Sequence, residues 1–206
     1  YSKAQEILWN KPSPLDGKVT MRLGGMHLMM AFIASIGKLY SDGGLFAMLV
    51  DTDIYAAATT RLMLQGKQLS RGIRGLKLAM EALSRLFLDS CISWMSKHGH
   101  ALVSNQIHRL ANEMQLAFES KNQDLIKDIA GRFTVHLDAF QQAMKEFTEF
   151  GEAYSATFGY WSNFIDAVSV LLRLQRAERE ADFELHINAV CEAIPWFVAA
   201  GRNRSE

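Results

Sequence analysis

Few side chains in this sequence are placed to do chemistry. Cys91, His98 and His100, with His108 two helical turns further on, present thiol and imidazole donors in one region. A metal site needs three or four convergent donors, and this spacing matches neither CxxC nor HExxH, so core and loop roles are the simpler reading. Asp51-Thr52-Asp53 sets two carboxylates at a helix start, where they would meet the positive end of a dipole, and capping is the expected work. Arg71, Arg74 and Lys77 recur every third residue, with Arg61 and Lys67 just before them. Such a stripe could neutralise successive phosphates, and its plainer reading is a solvated face balanced by Glu81 and Asp89. Arg173, Arg176 and Arg179 mix with Glu178 and Glu180 as ordinary surface patterning. Phe158, Tyr160, Trp161 and Phe164 could stack bases, but their spacing is that of a helix core.

His27 has the least ordinary setting. A β-branched run at residues 19–23 breaks at Gly24-Gly25, and His27 follows in the first turn of a helix with apolar positions at Met26, Met29, Met30, Ile33, Ile36, Gly37 and Tyr40. Glycines at such a joint permit a positive φ or the close approach of another backbone. An imidazole there could exchange protons near neutrality, although no Ser, Cys, Asp or Glu neighbours it in sequence.

The elements that position these groups read as helices almost throughout. Residues 2–9 form a short capped helix, and residues 10–17, with Pro12, Pro14 and Asp16-Gly17, a turn-rich linker. After the strand at 19–23 and the helix that Gly43-Gly44 should stop, helices are predicted at 45–50, 53–65 (capped by Asp51 or Thr52, ended at Gly66), 69–97, 101–120, 123–150 (capped by Asn122, ended at Gly151), 157–180 and 183–200 (capped by Asp182, with Pro195 inside). The 69–97 helix should bury Leu76, Met80, Leu83, Leu86, Phe87, Ser90, Cys91 and Trp94, and the 101–120 helix Leu102, Ile107, Leu110, Met114, Leu116 and Phe118. Gly72 and Gly75 in the first of these imply close packing or a kink.

Composition narrows the class further. With 206 residues, 49% of them hydrophobic, the chain can bury one sizeable core, and 22 basic against 22 acidic residues leave no global field toward nucleic acid or an anionic membrane. Cys91 and Cys191, each in an apolar helical pattern, fit reduced buried thiols and an intracellular setting, nuclear or cytoplasmic. No uncharged apolar run reaches the length of a membrane span. The start at Tyr1 and the stop after an apolar helix suggest a piece of something longer.

Three segments, RLGGMHLMMAFIASIGKLYSDGGL (22–45), GKQLSRGIRGLKL (66–78) and FGYWSNFIDAVSVLLRLQRAEREADFELHINAVCEAIPWFVAAG (158–201), resemble a multicopy group of uncharacterised animal proteins that look derived from mobile elements. The opening YSKAQEI is similar to the stretch that follows an acidic Asp-Gln-Pro segment in that group. RLGG-x-H and RAERE-x-x-x-ELH are the most specific blocks of a resemblance that covers nearly the whole chain. The resemblance implies a ribonuclease-H-like, transposase-type core with a long helical insertion. Residues 19–23 would then be an internal strand, Gly24, Gly25 and His27 the turn at its end, and the helices from 53 to 180 the insertion. Such enzymes hold a pair of Mg²⁺ ions on two or three carboxylates. No Asp or Glu ends this strand, so those carboxylates are expected to flank the piece. Where the group's last helix runs into Asn-Tyr-Ala-Arg, this chain has Arg202-Asn203-Arg204-Ser205-Glu206, which suggests truncation or decay.

The sequence therefore predicts a mainly α, multi-helix bundle with one short strand near residues 19–23, a fragment of a larger α/β core. Its parts would be a partial core segment (1–50), a helical insertion (51–180) and the last helix of the truncated core (181–206). It would bind no cofactor itself, Mg²⁺ belonging to an active parent, and would touch DNA phosphate through Arg71, Arg74 and Lys77. The alternative is a helical interaction module that packs on a protein partner or on the missing remainder. Neither reading involves a membrane.

Overall fold

In a computed structural model of the chain, residues 24–201 are described. Every regular element among them is helical: α1 (Gly25–Tyr40), a π-helical turn (Ser41–Leu45), α2 (Phe46–Asp51), α3 (Ala57–Leu64), α4 (Leu69–Lys97), α5 (Ala101–Glu119), α6 (Gln123–Tyr154), α7 (Ala156–Glu180) and α8 (Phe183–Ala199). The protein is mainly α. The helix expected at residues 2–9 and the strand expected at 19–23 lie outside the described residues. The chain divides into two compact units, one of residues 1–75 with 169–206 and one of residues 76–168.

The first unit is built around α1. Phe32, Ile33 and Ile36 are fully buried on it, and Met29, Ala34 and Tyr40 nearly so. Phe32 was missing from the predicted stripe because α1 is covered on more than one side. Its ring meets Trp196 at 6.1 Å and Phe197 at 5.3 Å from α8. On the α3 side Gly37 takes the carbonyl oxygen of Leu64 into the space a Cβ would fill. Met26, at the open start of α1, is 54% exposed, against expectation. Each of the fully buried side chains contributes roughly 1.5–3 kcal/mol by leaving water.

Gly43-Gly44 ends the first helix as predicted: α1 stops at Tyr40, and Gly44, at φ 117°, leaves helical geometry and kinks the chain before α2 begins in αR geometry from Phe46. Asp51 and Thr52 do not cap the next helix. Thr52 Oγ1 donates back to the Met48 carbonyl at 2.6 Å, Asp53 turns to φ 55°, and α3 starts after Ala56 without a side-chain cap. Gly66, at φ 76°, ends α3 as predicted, and its missing Cβ also admits the Met30 carbonyl of α1. Gly72 and Gly75 are packing glycines: a Cβ would meet Ile33 at 3.0 Å from the first and Met63 at 3.0 Å from the second. Asp182 Oδ1 accepts from the Leu185 amide at 2.9 Å to open α8, which continues through Pro195 to Ala199 before Gly201 turns at φ 68°.

The second unit joins residues 76–97 of α4, α5, α6 and residues 156–168 of α7. Cys91, Met95, Ile107, Phe140, Ala143 and Phe147 form its core, and Leu110, Ala117 and Ile129 a second cluster. α5 turns into α6 through Lys121 at φ 54°, followed by Asn122, whose Oδ1 accepts from the Leu125 amide at 3.1 Å. α6 does not end at 150. Gly151 lies inside it beneath the Phe158 ring, the helix reaches Tyr154, and Ser155 Oγ accepts from the Phe158 amide at 3.2 Å to start α7. Apolar spacing also overstated the buried faces. Leu86, Leu102, Leu116 and Phe118 are exposed, and Met95, missed from sequence, is fully buried.

Gly37→Ala should destabilise the protein by about 1–3 kcal/mol or more, since the clash is with a backbone oxygen that cannot rotate away. Gly131→Ala, with nothing within 4 Å of its Cβ position, should stabilise by about 0.5–1 kcal/mol in chemical denaturation. Equal effects of the two would contradict this packing.

Candidate functional site

The two blocks that carry the resemblance meet in space. Gly24 precedes α1 as an extended, exposed residue (φ −61°, ψ 117°) with no side-chain cap bond, and His27 is exposed one turn into the helix. Gly25 is buried, because the Glu178 carboxylate of α7 occupies the position of its absent Cβ. His186 of α8 brings Nδ1 to 2.9 Å from Glu178 Oε1, at ion-pair distance though off the line of a hydrogen bond. A carboxylate at the first residue of α1 faces the positive end of that helix's dipole. Gly25 from RLGG, Glu178 from RAERE and His186 from ELH are thus one structural unit, joined at the α7–α8 corner where Ala181 adopts φ 54°.

Glu178 is therefore not the surface residue its mixed-charge neighbourhood suggested. Its side chain is 21% exposed and that of His186 only 2%. The neighbouring acids and bases do lie outside, with Arg173 paired to Glu192 and Arg176 to Glu180. An imidazole beside a carboxylate has the makings of an acid–base pair. With His186 sealed, however, no substrate reaches the ring while the helices stay together, so the pair holds α1, α7 and α8 in register. The sequence signal was the co-occurrence of the two blocks; composition and spacing alone hid it.

Of the candidate metal donors, Cys91, His98 and His100 are engaged elsewhere. His98 Nδ1 lies 2.8 Å from the Trp94 carbonyl, and its ring stacks on Trp94 at 4.5 Å. His100 Nε2 lies 2.9 Å from Glu146 Oε2. The Gln142 side-chain hydrogen bond and that of His100 hold the Glu146 carboxyl below its ordinary range. His108 is exposed on α5. Cys91 sits in the core, where burial pushes its thiol up to about 11. Cys191 is exposed, contrary to the expectation of two buried thiols. Among the described residues no three His, Cys, Asp or Glu converge, and they do not fit the carboxylate set that a pair of Mg²⁺ ions requires.

Arg71, Arg74 and Lys77 are all exposed on α4. Glu81, one turn beyond Lys77, lies 3.1 Å from Arg85. Arg71 Nη1 donates to Gln68 Oε1 at 3.0 Å, and the Arg61 guanidinium rests 5.7 Å from the Phe46 ring centre. Phe158, Tyr160, Trp161 and Phe164 spend their faces on packing. Phe158 meets Phe87 at 5.5 Å and Phe147 at 5.3 Å, Trp161 lies between Tyr160 and Phe164, and Phe164 is fully buried.

In a native thiol titration Cys191 should react promptly and Cys91 only after denaturant is added, since the thiolate is the nucleophile and burial suppresses it. Two thiols reacting at one native rate would contradict the burial of Cys91. His186→Ala should cost about 3 kcal/mol by leaving a cavity in place of the buried ring. His27→Ala, on the exposed side of the same joint, should change the unfolding free energy by no more than ~0.5 kcal/mol.

No curated protein and no solved structure matches the chain. No helix among the described residues is long and apolar enough to cross a membrane. A family model for a domain of unknown function, DUF8702, matches residues 1–204. The match takes in almost every residue, and the chain belongs to the DUF8702 family.

Proposed function

We propose that this chain is the helical part of a mobile-element-derived, transposase-like protein, not catalytic by itself, which contacts nucleic-acid backbone through Arg71, Arg74 and Lys77. One observation carries the reading. Between Asp53 and Glu81 the sequence has no carboxylate and five cations, Arg61, Lys67, Arg71, Arg74 and Lys77. No described carboxylate pairs with any of the five, whereas Arg85, Arg109, Arg132, Arg173 and Arg176 each have one. In a chain of zero net charge, this is a concentrated positive field on exposed helix, the kind that displaces counterions from a phosphodiester backbone. On this reading the strand at 19–23 would belong to a ribonuclease-H-like core, the Mg²⁺-binding carboxylates to its other strands, and the parent protein to the nucleus or cytoplasm.

A second reading, a helical interaction module without a nucleic-acid role, is favoured by the apolar side chains that the second unit exposes. Leu102 and Val135 are each 80% exposed, with Leu116, Phe118 and Tyr154 also in solvent. Light scattering separates the two. A monomer at working concentration favours the first, and self-association lost on replacing Leu102 and Val135 by Ser favours the second.

The decisive experiment is a salt titration of duplex DNA binding by the protein and by the Arg71→Glu/Arg74→Glu/Lys77→Glu variant. The variant should bind more weakly, with a log–log salt slope lower by about 2–3, one charge contact being worth roughly 0.9. Equal affinity and slope for both proteins would end the proposal.

A further inference from the structure

A second cationic feature lies off the α4 stripe, where three basic residues line one cleft. Beyond the point at which Gly37 admits the Leu64 carbonyl, the first unit opens a cleft of about 500 Å³ whose lining includes Lys38, Ser41, Phe46, Arg61, Gln65 and Lys67. Among the described residues, no carboxylate lines it. Two of the cations are fixed in place. Lys38 Nζ donates to the Ala200 carbonyl at 2.8 Å and keeps two further N–H donors. Arg61 places its guanidinium carbon over the Phe46 ring, 5.7 Å from the ring centre. Ser41 and Gln65 add neutral donors.

Lys38 and Arg61 each stand in the last turn of a helix, where a cation complements the dipole. That role does not account for Lys67, which lies between α3 and α4, nor for the convergence of all three on one concave surface. Three positive charges with hydroxyl and amide donors suit a doubly charged oxyanion better than a diester carrying a single charge.

We propose that this cleft binds a phosphate monoester dianion, either the terminal phosphate of a nucleic-acid strand or a small free phosphate. The site stands independently of the Arg71, Arg74 and Lys77 contact. Calorimetric titration of the full chain with inorganic phosphate, against chloride at matched ionic strength, should show saturable binding. Arg61→Gln/Lys67→Gln, both positions exposed, should weaken it by about tenfold or more. Lys67→Gln alone, outside any helix, should give a severalfold loss and serves if the double variant unfolds. The Arg71→Glu/Arg74→Glu/Lys77→Glu variant should keep the phosphate affinity, which separates failure here from failure of backbone contact.

Single-stranded oligonucleotides with and without a 5′-phosphate then assign the source. A severalfold preference for the phosphorylated end supports a strand terminus, and binding of inorganic phosphate without that preference supports a small phosphate. Phosphate binding unchanged in the Lys67→Gln and double variants, or no heat beyond that of chloride, would overturn the site.

Discussion

The first unit depends on how closely other atoms approach α1. Carbonyl oxygens of Leu64 and Met30 sit at its crossings with α3 and with the turn at Gly66, and the Glu178 carboxylate sits at its first residue. The two backbone contacts occupy space that any side chain would claim, so glycine at 37 and 66 is a requirement of distance, joined at 66 by a φ of 76°. Dispersion falls off steeply with separation, and backbones this close gain contacts that larger residues would forfeit. The buried Phe32, Ile33 and Ile36 fill the remaining sides.

That arrangement also decides where the charge goes. With α3 pressed onto α1, Arg61 and Lys67 are left at the rim of a cleft, and the first turns of α4 carry Arg71 and Arg74 to the surface. Other cations of the chain are paired. Arg132 lies 2.6 Å from Glu113 and 3.0 Å from Asp128, Arg109 reaches Glu113, and Lys145 stands near Glu149. Exposed pairs of this kind add little stability, but they cancel the field that unpaired cations would project. The contrast between cancelled and uncancelled charge underlies the functional proposals more firmly than any single residue does.

Much of this was legible in the sequence, for reasons specific to each element. The α4 bounds, 69–97, follow from long-range 3.6-residue periodicity, and Asn122 and Asp182 announce their helices because an Asx side chain offers the acceptor that a free helix start requires. The failures share a cause in tertiary context. Gly151 reads as a stop but serves as a seat for Phe158. Lys121 and Ala181 adopt the left-handed geometry usually given to glycine, and their corners close through the Asn122 amide to Ala117 and the Asp182 amide to Ala177, both at 3.0 Å. Glu178 reads as a surface charge because Gly25, whose missing Cβ it replaces, lies far away in the sequence. The basic stripe was visible, but its lack of partners emerged only once Glu81 was seen on Arg85.

Native-state hydrogen exchange tests the central role of α1 most directly. If close contacts on several sides hold this helix, the amides from Phe32 to Gly37 should open only with global unfolding of the first unit and exchange more slowly than those of α3 and of the outer turns of α8. Exchange of those amides at the rate of fraying helix ends would contradict it.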